Sequence, residues 1–245
     1  MIPTSPPSPP PSLRAVSVFP CAVLLWIWVA TVPLVAATGG SLLEENWAQY
    51  ADGDTPAGSW TIWSGNPPES IGTVKIVEQG SPFGATGKSV LLKGNNPNGA
   101  GPALSRKFAP VSTPVTVRFD YHIPSSPGAG ILPSMELVDS GGKPGPRLNL
   151  ANNFLAPNHA LNIANQGLKW DAGDIITPFR FNTWYHVEIT TIPSLSGKWK
   201  YDVTITPFGG TPITVKNLEF AGDIQNIAGI GFSWNSTNPN GAIYV

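Results

Sequence analysis

The stretch TPVTVRFDYHIP, residues 113 to 124, alternates without a break. Val115, Val117, Phe119 and Tyr121 fall on one side, and Thr116, Arg118, Asp120 and His122 on the other. A period of two belongs to a strand with one buried and one solvated face. KWKYDVTITP repeats it, with Trp199, Tyr201, Val203 and Ile205 opposite Lys200, Asp202, Thr204 and Thr206. FNTWYHVEI does so again: Tyr185, Val187 and Ile189 share one face, and Trp184, His186 and Glu188 the other. From Ser41 onward no segment carries a convincing helical period, so the chain is restricted to an all-β fold.

Further strands are expected over 59–64, 73–79, 88–94, 103–111, 134–139, 146–151, 159–165, 211–220, 227–234 and 241–245. Between them lie NNPNGAGP, SSPGAG, DSGGKPGP, SLSGK, PFGG and NSTNPNG, which supply Gly, Pro, Asn and Ser where the backbone must reverse. About a dozen short strands at this spacing describe a sandwich or barrel of antiparallel sheets. Gly 26 and Pro 27 would suggest disorder in a polar chain, but 41% hydrophobic residues and nine Trp supply a core. The net charge is −1 and no Lys/Arg run occurs, which removes the electrostatic footprint of a nucleic-acid binder.

Residues 1–37 read as a Pro-rich start followed by a signal peptide. A single Arg14 precedes an apolar run from Ala15 to Ala37, and Val35-Ala36-Ala37 offers a cleavage site before Thr38. The expected product is a domain over 38–245, secreted or at the cell surface. It would touch a membrane only if the apolar segment stays uncleaved, since about 20 apolar residues can span a bilayer. Cys21 is the one cysteine, so the domain after Ala37 has none to form disulfides or thiolate zinc sites.

Four stretches resemble the concanavalin A-like, LamG-type jelly-roll group of secreted carbohydrate-binding modules, lectins and polysaccharide-acting enzymes. They are LLEENWAQYADGDTPAGSWTI, KSVLLKG, NTWYHVEIT and FSWNSTNPNGAIYV, and the likeness spans nearly all of residues 42 to 245. It implies an antiparallel two-sheet jelly-roll sandwich with a polysaccharide or glycan as partner. In related domains the last strand commonly runs on past a Tyr-Val pair into one or two Asp. Here the sequence ends at Val245, so a continuation and an exposed edge at the closing strand are expected.

On such a scaffold a sugar would lie against aromatic faces and paired hydrogen-bonding side chains. The candidate ligand-binding residues are Trp184, His186 and Glu188 on one strand and Arg118, Asp120 and His122 on another. Trp170 and Trp234, near turns, are alternative platforms. The acidic residues Glu44, Glu45, Asp52 and Asp54 are candidates for a structural calcium, which accepts carboxylates from separated loops. No carboxylate pair at the spacing of a glycosidase strand occurs, because Glu136 and Asp139 point to opposite faces. A Gly-x-Ser-x-Gly elbow and a zinc spacing of histidines are also lacking. Arg118, His122, Arg147 and His186 could serve a lyase if the sheet gathers them. The leading expectation is a non-catalytic carbohydrate-binding or adhesion-type module. The alternatives are a polysaccharide-active lyase or hydrolase, or its accessory domain, and a structural surface domain without a glycan.

Overall fold

Alternation of apolar and polar residues builds the whole architecture. The computed structural model describes residues 43–84, 87–96, 101–125, 134–151, 154–157, 180–220, 222–234 and 241–245, all within the unit Ser41–Val245. Among the described residues there are thirteen strands and no helix. They are β1 (Trp60–Trp63), β2 (Gly72–Val77), β3 (Ser89–Gly94), β4 (Ala103–Val111), β5 (Thr116–His122), β6 (Ser134–Val138) and β7 (Pro144–Ala151). The rest are β8 (Phe154–Pro157), β9 (Trp184–Ile192), β10 (Lys200–Pro207), β11 (Ile213–Glu219), β12 (Ile227–Ser233) and β13 (Ala242–Tyr244).

Two antiparallel sheets result. One has six strands in the order β1-β4-β12-β6-β7-β8, and the other seven in the order β11-β10-β9-β5-β13-β3-β2. The inward residues are those that the alternation assigns: Tyr121 on β5, Tyr185, Val187 and Ile189 on β9, and Tyr201, Val203 and Ile205 on β10 are all buried. They face Leu104, Met135, Leu137, Ile230 and Phe232 of the six-stranded sheet. Phe119 of β5 meets Phe232 of β12 edge-on with ring centroids 5.3 Å apart, a contact that ties one sheet to the other. Each fully buried side chain of this size contributes about 1.5–3 kcal/mol through its removal from water.

The expected signal peptide, the expected strand over 159–165 and the candidate platform Trp170 lie outside the described residues. β8 has no counterpart in the sequence reading, because FLAP is a short run that ends in Pro and shows no alternation. The closing strand differs from expectation as well. β13 is an interior strand, between β5 and β3, and Val245 exchanges two backbone hydrogen bonds with Val90 at 2.8 and 2.9 Å. Within the sheet it meets β5 at one position, Tyr244 opposite His122.

Candidate functional site: a cross-strand row on the seven-stranded sheet

Strands β5 and β9 are direct neighbours, and their register joins the two polar rows read from the sequence. His122 lies opposite Trp184, Asp120 opposite His186, Arg118 opposite Glu188 and Thr116 opposite Thr190. His186 Nδ1 donates to Asp120 Oδ1 at 2.7 Å, and Arg118 Nε donates to Glu188 Oε2 at 2.6 Å. β10 extends the rungs, with Thr206 opposite His186 and Thr204 opposite Glu188. The outer face of this sheet is therefore a ladder of mutually compensated polar pairs.

One rung differs from the others. Lys75 on β2 faces Leu91 on β3, Leu91 faces Tyr244 on β13, Tyr244 faces His122 and His122 faces Trp184. The Phe208 N–H donates to the Trp184 carbonyl at 2.8 Å, which adds Phe208 at the far end, just past β10. With strands about 4.8 Å apart, this row crosses six strands over roughly 24 Å. It is the aromatic line of the face: His122 stacks on Trp184 at 5.0 Å and meets Tyr244 at 5.3 Å, and Trp184 and Tyr244 are 6.3 Å apart. Phe83, from the β2–β3 loop, contacts both His186 and Phe208 at 5.6 Å, so that loop borders the row on the side of the His186 rung.

His122 is not the solvated row member that alternation suggests. It is only 2% exposed, because the Trp184 and Tyr244 rings pack against it. Burial lowers its pKa below the ordinary histidine value, a hydrogen bond with the Asn182 side chain partly opposes this, and the ring is neutral near pH 7. Its Nδ1 has no hydrogen-bond partner among the described residues. Inside the sandwich, burial likewise raises the pKa of the Tyr121 and Tyr201 hydroxyls.

Trp234 is a correction. It is 0% exposed and belongs to the core, not to a binding surface. Gly101 and Gly241 enclose it: a Cβ at Gly101 would sit 1.5 Å from the Trp234 carbonyl oxygen, and one at Gly241 2.0 Å from the indole. The alternation itself carries this signal, since Ile230, Phe232 and Trp234 share a parity. The same test finds Phe208, in phase with Thr204 and Thr206, and Tyr244, out of phase with the inward Ile243. No local pattern points to Phe83.

The four acidic candidates for calcium do not converge. Glu45 Oε1 accepts from the Trp47 N–H and from Gln49 Nε2, and Oε2 accepts from Trp60 Nε1. Arg106 stands 3.8 Å from the same carboxylate and over the Trp60 ring. Asp52 accepts from the Glu78 N–H, Asp54 from the Ala51 N–H, and Glu44 is exposed. Among the described residues no group of three or more His, Cys, Asp or Glu gathers at one point.

No protein-family model matches the sequence, and no curated protein matches it. Among solved structures, a sialidase overlays with a TM-score of 0.51 at 14% identity, over 76% of this chain. The chain spans only 16% of that sialidase's length. The fold is a concanavalin A-like jelly roll. Weaker overlays include the PL-14 alginate lyase from Aplysia kurodai, with a TM-score of 0.48 at 10% identity over 79% of this chain and 94% of that one. The Lotus tetragonolobus seed lectin overlays at 0.44 with 11% identity, over 78% and 90% of the two chains. Within the jelly roll, the cross-strand row occupies the outer face of the seven-stranded sheet, with its opposite face turned to the core.

Proposed function

We propose that this jelly roll is an exported glycan-binding module whose ligand lies across the strands along the row from Leu91 to Phe208. One observation carries the reading: the register sets Tyr244, Trp184 and Phe208 in line on one face, beside rungs of fixed donors and acceptors. Aromatic faces hold the apolar side of a sugar ring, and the rungs offer oriented partners for its hydroxyls. Asp120 and Glu188 each accept from a neighbouring side chain, which supports reading them as oriented partners on a binding face. The apolar run from Ala15 to Ala37, read as a signal peptide cleaved before Thr38, supports a secreted or cell-surface location.

A glycan array probed with the purified protein tests this, with calcium and again with EDTA. Saturable binding that Trp184→Ala or Phe208→Ala weakens at least tenfold, in a variant that stays folded, is the expected result. A folded protein that binds no glycan on the array in either condition overturns the reading. Depolymerisation of a bound polysaccharide that stops in Asp120→Asn or Glu188→Gln would replace it with an enzyme.

A further inference from the structure

The outer face of the six-stranded sheet carries a second arrangement, separate from the row just described. On β1, β4, β12 and β6 the register sets Trp63 opposite Ala103, Ala103 opposite Ser233 and Ser233 opposite Ser134. One step along lie Thr61, Ser105, Gly231, Glu136 and, on β7, Arg147. The intervening residues Leu104, Ile230, Phe232, Met135 and Leu137 are buried, so both rows face outward.

Trp63 stands at one end of this patch with 55% of its surface exposed. At the other end Arg147 donates from Nε and Nη2 to Glu136 Oε2, at 3.0 and 2.5 Å, which fixes a charge-compensated group of donors and acceptors. The Ser134 and Ser233 hydroxyls, 2.8 Å apart, lie between.

Gly231 makes the floor bare. At Gly229, two residues earlier, a Cβ would press within 3.0 Å of Val138 and 3.1 Å of the Arg106 carbonyl, so the neighbours crowd that position. At Gly231 a Cβ would meet nothing nearer than Ser105 at 3.8 Å and Glu136 at 3.9 Å, which is ordinary contact. Neither crowding nor a positive φ calls for glycine at 231. The consequence of its missing side chain is an open trough between the indole and the ion pair, three strand spacings or roughly 14 Å wide.

We infer that this trough is a second saccharide site, for one or two neutral sugar rings. One ring would lay its apolar face on Trp63, and a second would lie over the Gly231 backbone, where its hydroxyls reach Ser134, Ser233 and the Glu136–Arg147 pair. A preference for a neutral sugar follows from the pair, whose charges cancel at that end of the trough, while the exposed Lys107 on the same face stands one rung further along, opposite Gly229. Small size follows from the distance between the indole and the ion pair that bound the trough. The inference is independent of the ligand face on the other sheet.

The test is an amide and indole NMR titration of the protein with glucose, galactose, mannose, cellobiose and lactose at millimolar concentrations. Saturable shifts of the Trp63 indole and of the Gly231, Ser233 and Ser134 amides are expected with at least one sugar. They should weaken tenfold or more in Trp63→Ala and in Gly231→Leu, with the Leu104 and Ile230 amides unmoved as a check on folding, and persist in Trp184→Ala. Two results overturn the site: no saturable shift at Trp63 and Gly231 with any of these sugars, or shifts that survive Trp63→Ala. Shifts confined to Trp184 and Phe208 would remove this second site while leaving the first reading in place. Shifts confined to Trp63 would do the reverse.

Discussion

His122 lies almost flat against Trp184, with ring centroids 5.0 Å apart and planes 28° from parallel, although 62 positions separate the two residues along the chain.

The antiparallel register of β5 and β9, which sets His122 opposite Trp184, brings the two rings together. The indole therefore has two roles that can be separated: it presents one face as a platform, and it keeps water from His122.

Trp184→Ala should uncover His122. Its pKa, held down by burial, is expected to rise toward the ordinary histidine value, as followed by NMR titration of the imidazole. The half-buried indole should cost about 1–3 kcal/mol in denaturant unfolding, below the ~3–5 kcal/mol typical of a core Trp. An unchanged His122 titration would mean that Trp184 does not provide the shielding.

Stability should fall with acid through His122. The folded pKa is lowered, so the unfolded chain takes up the proton first as pH falls. The contribution is complete above the unfolded value of about 6.5 and is lost as pH drops through the folded value. His122→Gln should flatten the slope of unfolding free energy between about pH 7 and 5. A slope as steep as that of the parent would assign the effect to other groups.

Trp234→Ala should cost about 3–5 kcal/mol and leave glycan affinity unchanged in whatever fraction remains folded. Gly241→Ala should also destabilise strongly, since its Cβ would stand 2.0 Å from the indole. A mild effect of both, measured by thermal unfolding, would contradict the buried position of this ring.

Glu45→Ala removes an acceptor shared by Trp47, Gln49 and Trp60 and should cost about 1–3 kcal/mol. EDTA should not shift the melting temperature of the parent protein. A drop of several degrees that calcium restores would mean that an ion site exists after all.

Much of this was legible in the residues. The outward rows Arg118-Asp120-His122 and Trp184-His186-Glu188 follow from period two, as do the inward Tyr185, Val187 and Ile189. Parity also places Trp234 inside and Tyr244 and Phe208 outside, once it is followed past the strand ends. Phe83 was not legible, because a loop residue has no periodic neighbour to give it a face. Nor was the hydrogen-bonding role of Glu45, whose carboxylate is claimed by groups on two separate segments, 47–49 and Trp60.

The sequence by itself determined the strands and which side of each is apolar, because the direction of successive side chains is a property of the local backbone. Only the tertiary structure decided which strands are neighbours and in what register. Hydrogen bonds between distant segments set those relations, and no local pattern encodes them. That is why β13 could enter between β5 and β3 and place Tyr244 beside His122. It is also why a histidine on a polar row became a buried, neutral one, covered by rings from two other strands.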